Sequence, residues 1–367
     1  MDLHKKPFDE GTLTKLDLFE AYAKEWLPVF IMKDVEAIWI FDCFAGTGVD
    51  IENKPGSPIR ILRQILGQAG NIFNRKSVIY LIFNEYDKEK FAKLQESCSE
   101  YILCNSELKR LVDANKVKIK FLNQDFDILF PKAMSIIKKY PSLVFLDQNG
   151  IKFLDDKYFL ELTKARCTDF LYFVSSSYFL RFGNQPEFKS HFNIDFEQAK
   201  KDGYKYIHRN LIEQLRGRLP KDSNVKLYPF TIKKGANIYG IIFGASHPKA
   251  VDKFLKVAWE KNHLNGTANF DIDSDISKCQ LDLFSEQKLT KIQQFQENLK
   301  DLILSKRICT NKDAYDYTLS QGHINSHADE IIKSLKKQKM IDYDARSPLC
   351  TYEQVYKNNR IIEYKVL

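Results

Sequence analysis

The segment AIWIFDCFAGTGVD, residues 37–50, combines an apolar run with an acid and two glycines. The apolar run predicts a buried strand, and Asp42 stands at its end, followed by a glycine turn. Gly46 and Gly48 would let a ligand approach the backbone closely. A phosphate ligand is disfavoured, because Asp42 would repel it and because Ile51 replaces the third glycine of a dinucleotide-binding motif. The carboxylate instead favours a ligand that carries positive charge.

This turn resembles the D-x-F-x-G-x-G signature of methyltransferases that use S-adenosylmethionine (SAM), a ligand with a sulfonium and an ammonium group. The signature positions are Asp42, Phe44, Gly46 and Gly48, and with the intervening Ala45 we take them as candidate cofactor-binding residues. The resemblance implies SAM as the cofactor.

Two further acids follow the next two apolar runs. Glu85 ends SVIYLIFNE, where a carboxylate can accept both hydrogen bonds of a ribose diol, and Asp87 is its nearby alternative. Asp125 in FLNQDF comes just after the third run, where methyltransferases commonly hold an acid for the adenine amino group. We predict that Glu85 and Asp125 complete the cofactor site.

The fourth apolar run ends in FLDQNG, residues 145–150, and supplies the candidate catalytic residues Asp147 and Asn149. Enzymes that methylate amino groups of nucleic acids carry Asp/Asn-Pro-Pro-aromatic at this place, which binds the amine and stacks the flipped base. Only the acid is present here. Cytosine C5 methylation is disfavoured, because it needs a nucleophilic cysteine, usually in Pro-Cys, and no proline of this chain precedes a cysteine.

Apolar runs and helical patterns alternate along the sequence, and they predict the strands and helices that position these residues. Helical spacing in TLTKLDLFEAYAKEWLPVF predicts an N-terminal lid or packing helix, and five continuous apolar runs separated by helices predict a parallel sheet. VKLYPFTIKK and IYGIIFGAS then predict two adjacent strands. This order predicts an α/β, doubly wound sheet of the Rossmann-like class I methyltransferase fold.

Composition changes along the chain predict two domains. Residues 1–263 would form the methyltransferase domain, with a basic insertion at about 181–224, and the polar residues 264–288 would form a linker. Residues 289–367 contain three helical segments, the last two separated at Gly322, followed by strands. We predict a C-terminal winged helix-turn-helix domain.

The composition bounds the environment of the protein. The chain has 367 residues and a formal net charge of +8, which is compatible with a polyanionic partner such as nucleic acid. Its seven cysteines are widely spaced, without a Cys-x-x-Cys pair, which favours a reducing compartment over a disulfide framework or a zinc knuckle. No apolar run approaches the roughly 18 residues of a membrane span. We expect a cytoplasmic protein that does not act in a membrane.

Cationic and polar residues in two regions are candidates for nucleic-acid contacts. They are Arg209, Arg216 and Arg218 in and near the basic insertion, and Asn325, Lys333 and Lys337 on the second helix of the helix-turn-helix. His323 and His327 lie one helical turn apart, and without a third ligand we interpret them as an exposed pair and predict no metal site.

Five segments, TKLDLFEAYAKEW, FDCFAGTG, GSP, FNEYD and FLDQNG, occur in an order that resembles the three-Cys-motif partner proteins of bacteria. The likeness continues through YGIIFGASHPKAVDKFLKVAW and so spans most of the chain. It implies a Rossmann-like methyltransferase fold and a partner protein with a cysteine triplet suited to an iron-sulfur cluster. Family members more often have Asp-Pro where this chain has Asp147-Gln148.

Two hypotheses on function follow. The first is a SAM-dependent methyltransferase that acts on nucleic acid, DNA or RNA, together with the three-Cys-motif partner. The second is a non-catalytic adaptor that uses the methyltransferase scaffold to bind nucleic acid or protein. The absence of both prolines after Asp147 keeps the second hypothesis open.

Overall fold

The computed structural model describes residues 6–148, 152–176, 195, 197–198, 201–278 and 288–367. The chain divides into two compact units, Met1–His247 and Pro248–Leu367. The helix Pro248–Lys261 belongs by its contacts to the second unit, whereas the sequence-based boundaries place it in the first. Those boundaries, at 263 and 289, stay predictions.

The described part of the first unit contains a seven-stranded sheet in the order β3-β2-β1-β4-β5-β7-β6. Its strands are β1 (Ala37–Asp42), β2 (Val78–Asn84), β3 (Val117–Leu122), β4 (Ser142–Leu146), β5 (Thr168–Ser175), β6 (Lys226–Lys234) and β7 (Asn237–Ala245). The first five strands are parallel, and β7 runs antiparallel to both of its neighbours. This order, with the reversed seventh strand, is that of class I methyltransferases, so the predicted fold class is confirmed.

Helices connect the parallel strands, as the alternating pattern predicted. Those described in this unit are α1 (Glu10–Met32), α2 (Ser57–Leu66), α3 (Ala69–Phe73), α4 (Lys88–Cys104), α5 (Ser106–Asp113), α6 (Phe126–Ile137), α7 (Asp156–Thr163) and α8 (Ile207–Arg218). Short 3₁₀ turns cover Lys152–Leu154 and Tyr204–Tyr206. Helix α5, a short helix that follows directly on α4, was not predicted from the sequence.

The N-terminal helix α1 packs against the strands of the sheet. The Phe19 ring stacks on Phe145 of β4, with ring centroids 4.1 Å apart. The Tyr22 hydroxyl donates a hydrogen bond of 2.6 Å to Asp169 of β5, and the Tyr22 ring contacts Phe243 of β7 edge-on. These buried contacts fix the position of α1 along β4 and β5, so the role of a packing helix agrees with its apolar stripe.

The second unit contains the predicted helix-turn-helix and wing. Its described elements are α9 (Pro248–Lys261), α10 (Asp275–Lys278), α11 (Lys291–Leu304), α12 (Asn311–Ser320), α13 (Asn325–Lys337), β8 (Ile341–Asp342), a π-helical turn (Glu353–Lys357) and β9 (Lys365–Val366). Strands β8 and β9 pair antiparallel, and Thr310 forms a bridge with Glu363. The strands predicted to follow the helices are thus short: the segment RIIEYKVL at residues 360–367 contributes the Glu363 bridge and the two residues of β9.

The first part of the predicted linker is packed. Asn265 is fully buried, and its side-chain amide donates a hydrogen bond of 2.9 Å to the Phe270 carbonyl. Residues 279–287 of this segment lie outside the described residues. Across the described ranges, none of the helices has the length and apolar character needed to cross a membrane.

Candidate functional site

Asp42 is the last residue of the central strand β1 and is completely buried. It pairs in register with Phe83 of β2 on one side and Phe145 of β4 on the other. Neither of its carboxylate oxygens has a hydrogen-bond partner among the described residues. A buried ionisable group without a partner is costly, so its presence at the carboxyl edge of the sheet indicates a ligand.

The surroundings of Asp42 shift its ionisation into the neutral range. Burial raises its pKa from 3.8 to about 7; the nearby Ser57 hydroxyl and Phe44 N–H oppose the rise without reaching hydrogen-bond geometry. The charges of Asp147 and Glu85 add to the rise, which means that all three carboxyl groups lie close enough to interact. A cation bound here would stabilise the ionised carboxylate.

The turn after β1 depends on its two glycines. Gly46 and Gly48 have φ angles of 63° and 80°, in the left-handed region that side chains other than glycine rarely adopt. The Gly46 N–H donates a hydrogen bond of 3.0 Å to Glu85 Oε2, and the Asp87 N–H donates one of 2.9 Å to Glu85 Oε1. Each oxygen of Glu85 retains a lone pair, so this carboxylate can still accept two hydrogen bonds from a ribose diol.

Asp125 caps the N-terminus of α6. Its Oδ1 accepts a hydrogen bond of 2.8 Å from the Asp127 N–H, and its side chain is half-buried. Beside it, the Phe44 ring lies 5.2 Å from Phe126 and 5.4 Å from Phe153, measured between centroids. Phe44 therefore joins an aromatic cluster that also makes an apolar wall at this edge of the sheet.

Asp147 follows β4 and forms an ion pair that the sequence did not reveal. Lys15 of α1 donates a hydrogen bond of 2.5 Å from its Nζ to Asp147 Oδ2, and the Lys15 side chain is 9% exposed. The next residue, Gln148, is buried, and its Oε1 accepts a 2.7 Å hydrogen bond from the Phe153 N–H. The other predicted catalytic residue, Asn149, lies outside the described residues.

The structure thus brings together the acids at the ends of β1, β2 and β4, as their positions in the sequence predicted. Two further residues lie at this candidate site that were not predicted from the sequence. One is Lys15; the other is Asn84, a buried residue whose amide donates hydrogen bonds of 3.1 Å to the carbonyls of Cys43 and Gln124. Asn84 thereby ties three strand ends together. The available sequence signal for Asn84 was its position directly before Glu85 at a strand end.

A cleft of about 720 Å³ lies beside the glycine turn, between the loop that follows β1 and helix α4. Its lining includes Thr47, Asn53, Lys93, Ser97 and Tyr101. Thr47 of the glycine turn lines this cleft, whereas Asp42, Glu85, Asp125 and Asp147 do not.

The three arginines predicted to bind nucleic acid make contacts within the first unit. Arg209 lies over the Tyr206 ring, with 5.3 Å between its Cζ and the ring centroid. Arg216 donates a hydrogen bond of 2.5 Å to the Leu227 carbonyl and pairs with Glu213. Arg218 forms an ion pair with Asp156, and its side chain is 11% exposed. Their role in binding nucleic acid stays a prediction, and the insertion residues 181–194 lie outside the described ranges.

Helix α13 carries the other nucleic-acid candidates. Lys333 and Lys337 are exposed, and Asn325, which begins the helix, is half-buried. Lys333 lies 4.0 Å from Asp329, whereas Lys336 donates a 2.6 Å hydrogen bond to the Tyr343 carbonyl. Lys333 and Lys337 are therefore the cations of this helix that remain directed towards solvent.

The interpretation of His323 and His327 as an exposed pair is wrong. Both are buried, their Nδ1 atoms lie 3.0 Å apart, and Trp259 and Phe295 pack against them. Burial lowers the pKa of His323 to about 2 and that of His327 to about 4, so both are neutral at physiological pH. No group of three or more metal-ligating side chains occurs within the described part of the chain.

Comparison with known proteins supports the C-terminal assignment. A family model described as a GMT-like wHTH domain matches residues 271–348, which confirms the predicted winged helix-turn-helix. A solved structure of the delta-N METTL16 MTase domain aligns over 62% of this chain and 83% of that chain, with a TM-score of 0.33 and 12% identity. None of the curated proteins compared matches the chain. The likeness to three-Cys-motif partner proteins stays a prediction.

We expect Asp42→Asn to change how the stability of the protein depends on pH. An acid whose folded-state pKa lies above its unfolded value binds more protons when folded, so stability falls as pH rises from about 4 through about 7. Asp42→Asn removes this loss of unfolding free energy. At about 1.4 kcal/mol per pKa unit, the loss is at most about 4 kcal/mol. Urea unfolding between about pH 5 and about pH 8 measures it.

Asp169 is also buried, and burial raises its pKa to about 7, so it adds its own pH dependence to the stability of the protein. The effect of Asp42 is therefore measured as the difference between the variant and the unaltered protein. Asp344→Asn, which removes one exposed carboxyl group, is the matched control and leaves the pH dependence unchanged. Equal slopes for Asp42→Asn and the unaltered protein would refute the buried titration of Asp42.

Proposed function

We propose that the protein binds SAM and transfers its methyl group to nucleic acid. The observation that carries this proposal is the buried Asp42, whose carboxylate oxygens have no partner among the described residues. A ligand with a fixed positive charge compensates such a group, whereas a phosphate-bearing nucleotide would add repulsion to it. SAM has that charge, together with a ribose and an adenine for the neighbouring acids.

The residues present fit this cofactor. Asp42 faces the cationic part, Glu85 retains one lone pair on each oxygen for the ribose diol, and Asp125 retains one oxygen for the adenine amino group. The left-handed Gly46 and Gly48 keep Cβ atoms away from the turn. When bound, SAM supplies an electrophilic methyl group, and the chain itself has to bind and orient the acceptor.

Nucleic acid is the substrate class favoured by the second unit. A helix-turn-helix places its second helix, here α13, against a nucleic-acid groove, with cations near the phosphates. Lys333 and Lys337 are exposed on that helix. The formal net charge of +8 favours the approach of a polyanion. We further propose that the protein acts together with a three-Cys-motif partner protein.

A non-catalytic adaptor is the alternative, favoured by one specific observation. Asp147 Oδ2 is occupied by Lys15, and no proline pair or aromatic residue follows Asp147 directly, so an exocyclic amine would find few acceptors. Transfer of labelled methyl from SAM to RNA or DNA pools separates the two functions. Incorporation of label excludes the adaptor, whereas SAM binding without any incorporation favours it.

We expect SAM to bind with an affinity that rises with pH. Because the cation binds the ionised form of Asp42, whose pKa lies at about 7, binding below that pH must release a proton. Asp42→Asn removes the charge, weakens binding at least about tenfold and abolishes the pH dependence. Isothermal titration in buffers of different ionisation enthalpy measures both the affinity and the released proton.

The control for this titration is Asp344→Asn, which retains the affinity and its pH dependence because the exposed side chain lies in the other unit. If clean protein shows no heat with SAM, or if Asp42→Asn binds SAM as tightly as the unaltered protein, the cofactor part of the proposal is wrong.

We expect the double variant Lys333→Gln and Lys337→Gln to bind duplex DNA or RNA less tightly and with a weaker salt dependence. Each lost phosphate contact lowers the slope of log affinity against log salt by about 0.9, so the double variant loses about 1.8. Lys306→Gln, an exposed lysine just after α11, is the control. Fluorescence anisotropy over a salt series measures the slope, and an unchanged slope would exclude α13 from the interface.

A further inference from the structure

The ion pair between Lys15 and Asp147 lies where the acceptor of a class I methyltransferase fold is expected, at the carboxyl end of β4. Two contacts hold the Lys15 ammonium: it lies 4.3 Å from the centroid of the Phe173 ring and 2.5 Å from Asp147 Oδ2. Phe19, one helical turn later, stacks on Phe145 and so fixes the helix that carries Lys15. The direction of the ammonium group is therefore fixed before any substrate arrives.

This pair has unused hydrogen-bonding capacity. An ammonium group has three N–H donors, and a single acceptor, Asp147 Oδ2, is hydrogen-bonded to Lys15 within the described residues. The bond reaches Asp147 Oδ2 and does not involve Oδ1. The Lys15 side chain is 9% exposed, whereas that of Asp147 is 20% exposed, so a substrate group can reach the carboxylate from solvent. An ammonium and a carboxylate at this strand end can therefore bind one polar substrate group together.

A ligand of this pair has to accept a hydrogen bond from Lys15 and donate one to the neighbouring Asp147. The amino group of a nucleobase offers two donors and has a delocalised lone pair, so it would face the Lys15 N–H groups without an acceptor for them. A hydroxyl group both donates and accepts. It can accept from Lys15 Nζ while donating to Asp147 Oδ1, which satisfies both residues at once.

We propose that Lys15 and Asp147 together bind a ribose hydroxyl of RNA, so that the acceptor atom is a sugar oxygen and RNA is preferred over DNA. On transfer, the new C–O bond would form as the C–S bond of SAM breaks, S-adenosylhomocysteine would leave, and the hydroxyl proton would pass to Asp147. This inference rests on the proposed methyltransferase function and names the substrate class of its site. Lys15 is here a substrate-binding residue, and Phe173 and Phe19 are the residues that position it. RNA is distinguished from DNA by its 2′-hydroxyl.

Binding measurements without SAM test the inference directly. The probes are a fluorescent uridine homopolymer and the matching 2′-deoxyuridine homopolymer, titrated with the full chain. We expect the ribose form to bind more tightly by about tenfold, as hydrogen bonding of one hydroxyl to charged partners predicts. Lys15→Met lowers this ratio to near one, while Lys24→Met, an exposed lysine on the same helix, preserves it.

Asp147→Asn is the second variant, since Lys15→Met leaves a carboxylate unpaired and could fail to fold. An asparagine oxygen still accepts from Lys15, but its N–H₂ cannot accept from the substrate hydroxyl, so the ratio falls in a folded protein. Circular dichroism checks that folding is retained. The inference is overturned if the unaltered protein does not prefer RNA, or if folded Asp147→Asn keeps the full preference.

The position of the label in the product gives an independent readout. RNA methylated with labelled SAM is digested to nucleosides, and we expect the label on the ribose oxygen. Label on a base would refute the hydroxyl acceptor while supporting methyl transfer itself. Failure of SAM to bind would refute the proposed function instead, and the RNA-to-DNA ratio, measured without SAM, would still report on Lys15 and Asp147.

Discussion

A carboxyl group without a partner, buried at the end of the central strand, is the constraint on which the rest of the site depends. Asp42 lies between β2 and β4, and neither of its carboxylate oxygens has a hydrogen-bond partner among the described residues. Its burial costs free energy that a folded protein recovers only when a cation is bound or when the group is protonated. The glycine turn lies at the same edge of the sheet, where the Gly46 N–H donates a hydrogen bond to Glu85.

Helix α1 links this cofactor edge to the acceptor edge. Because Phe19 stacks on Phe145, two residues before Asp147, the register between α1 and β4 places Lys15 opposite Asp147. The hydrogen bond from Tyr22 to Asp169 fixes the same helix to β5. A shift of α1 by one residue would turn Lys15 away from β4, since neighbouring helical residues lie about 100° apart. The apolar packing of the helix thus decides the chemistry of the site.

The strands and most helices could be predicted because each is a local pattern: the parallel strands are continuous apolar runs, and the acids that follow them share one edge by topology. Asp42 and Glu85 were predicted in this way, and both lie at that edge; their role in binding a cofactor stays a prediction. Lys15 was not predicted, because its partner lies 132 positions away and its helix indicated only packing. The histidine pair was misjudged for a similar reason: His323 and His327 are buried by Trp259 of α9, a tertiary contact without a local sign.

The two carboxylates at the ends of β1 and β4 are compensated differently, and this difference separates their roles. Asp147 is paired with Lys15, whereas neither carboxylate oxygen of Asp42 has a hydrogen-bond partner among the described residues. The proposed cationic ligand would therefore gain more beside Asp42 than beside the Lys15–Asp147 pair. That pair, with its net charge cancelled, suits an uncharged group that can both donate and accept. If Lys15 were absent, Asp147 would compete for the cation and raise the pKa of Asp42 further.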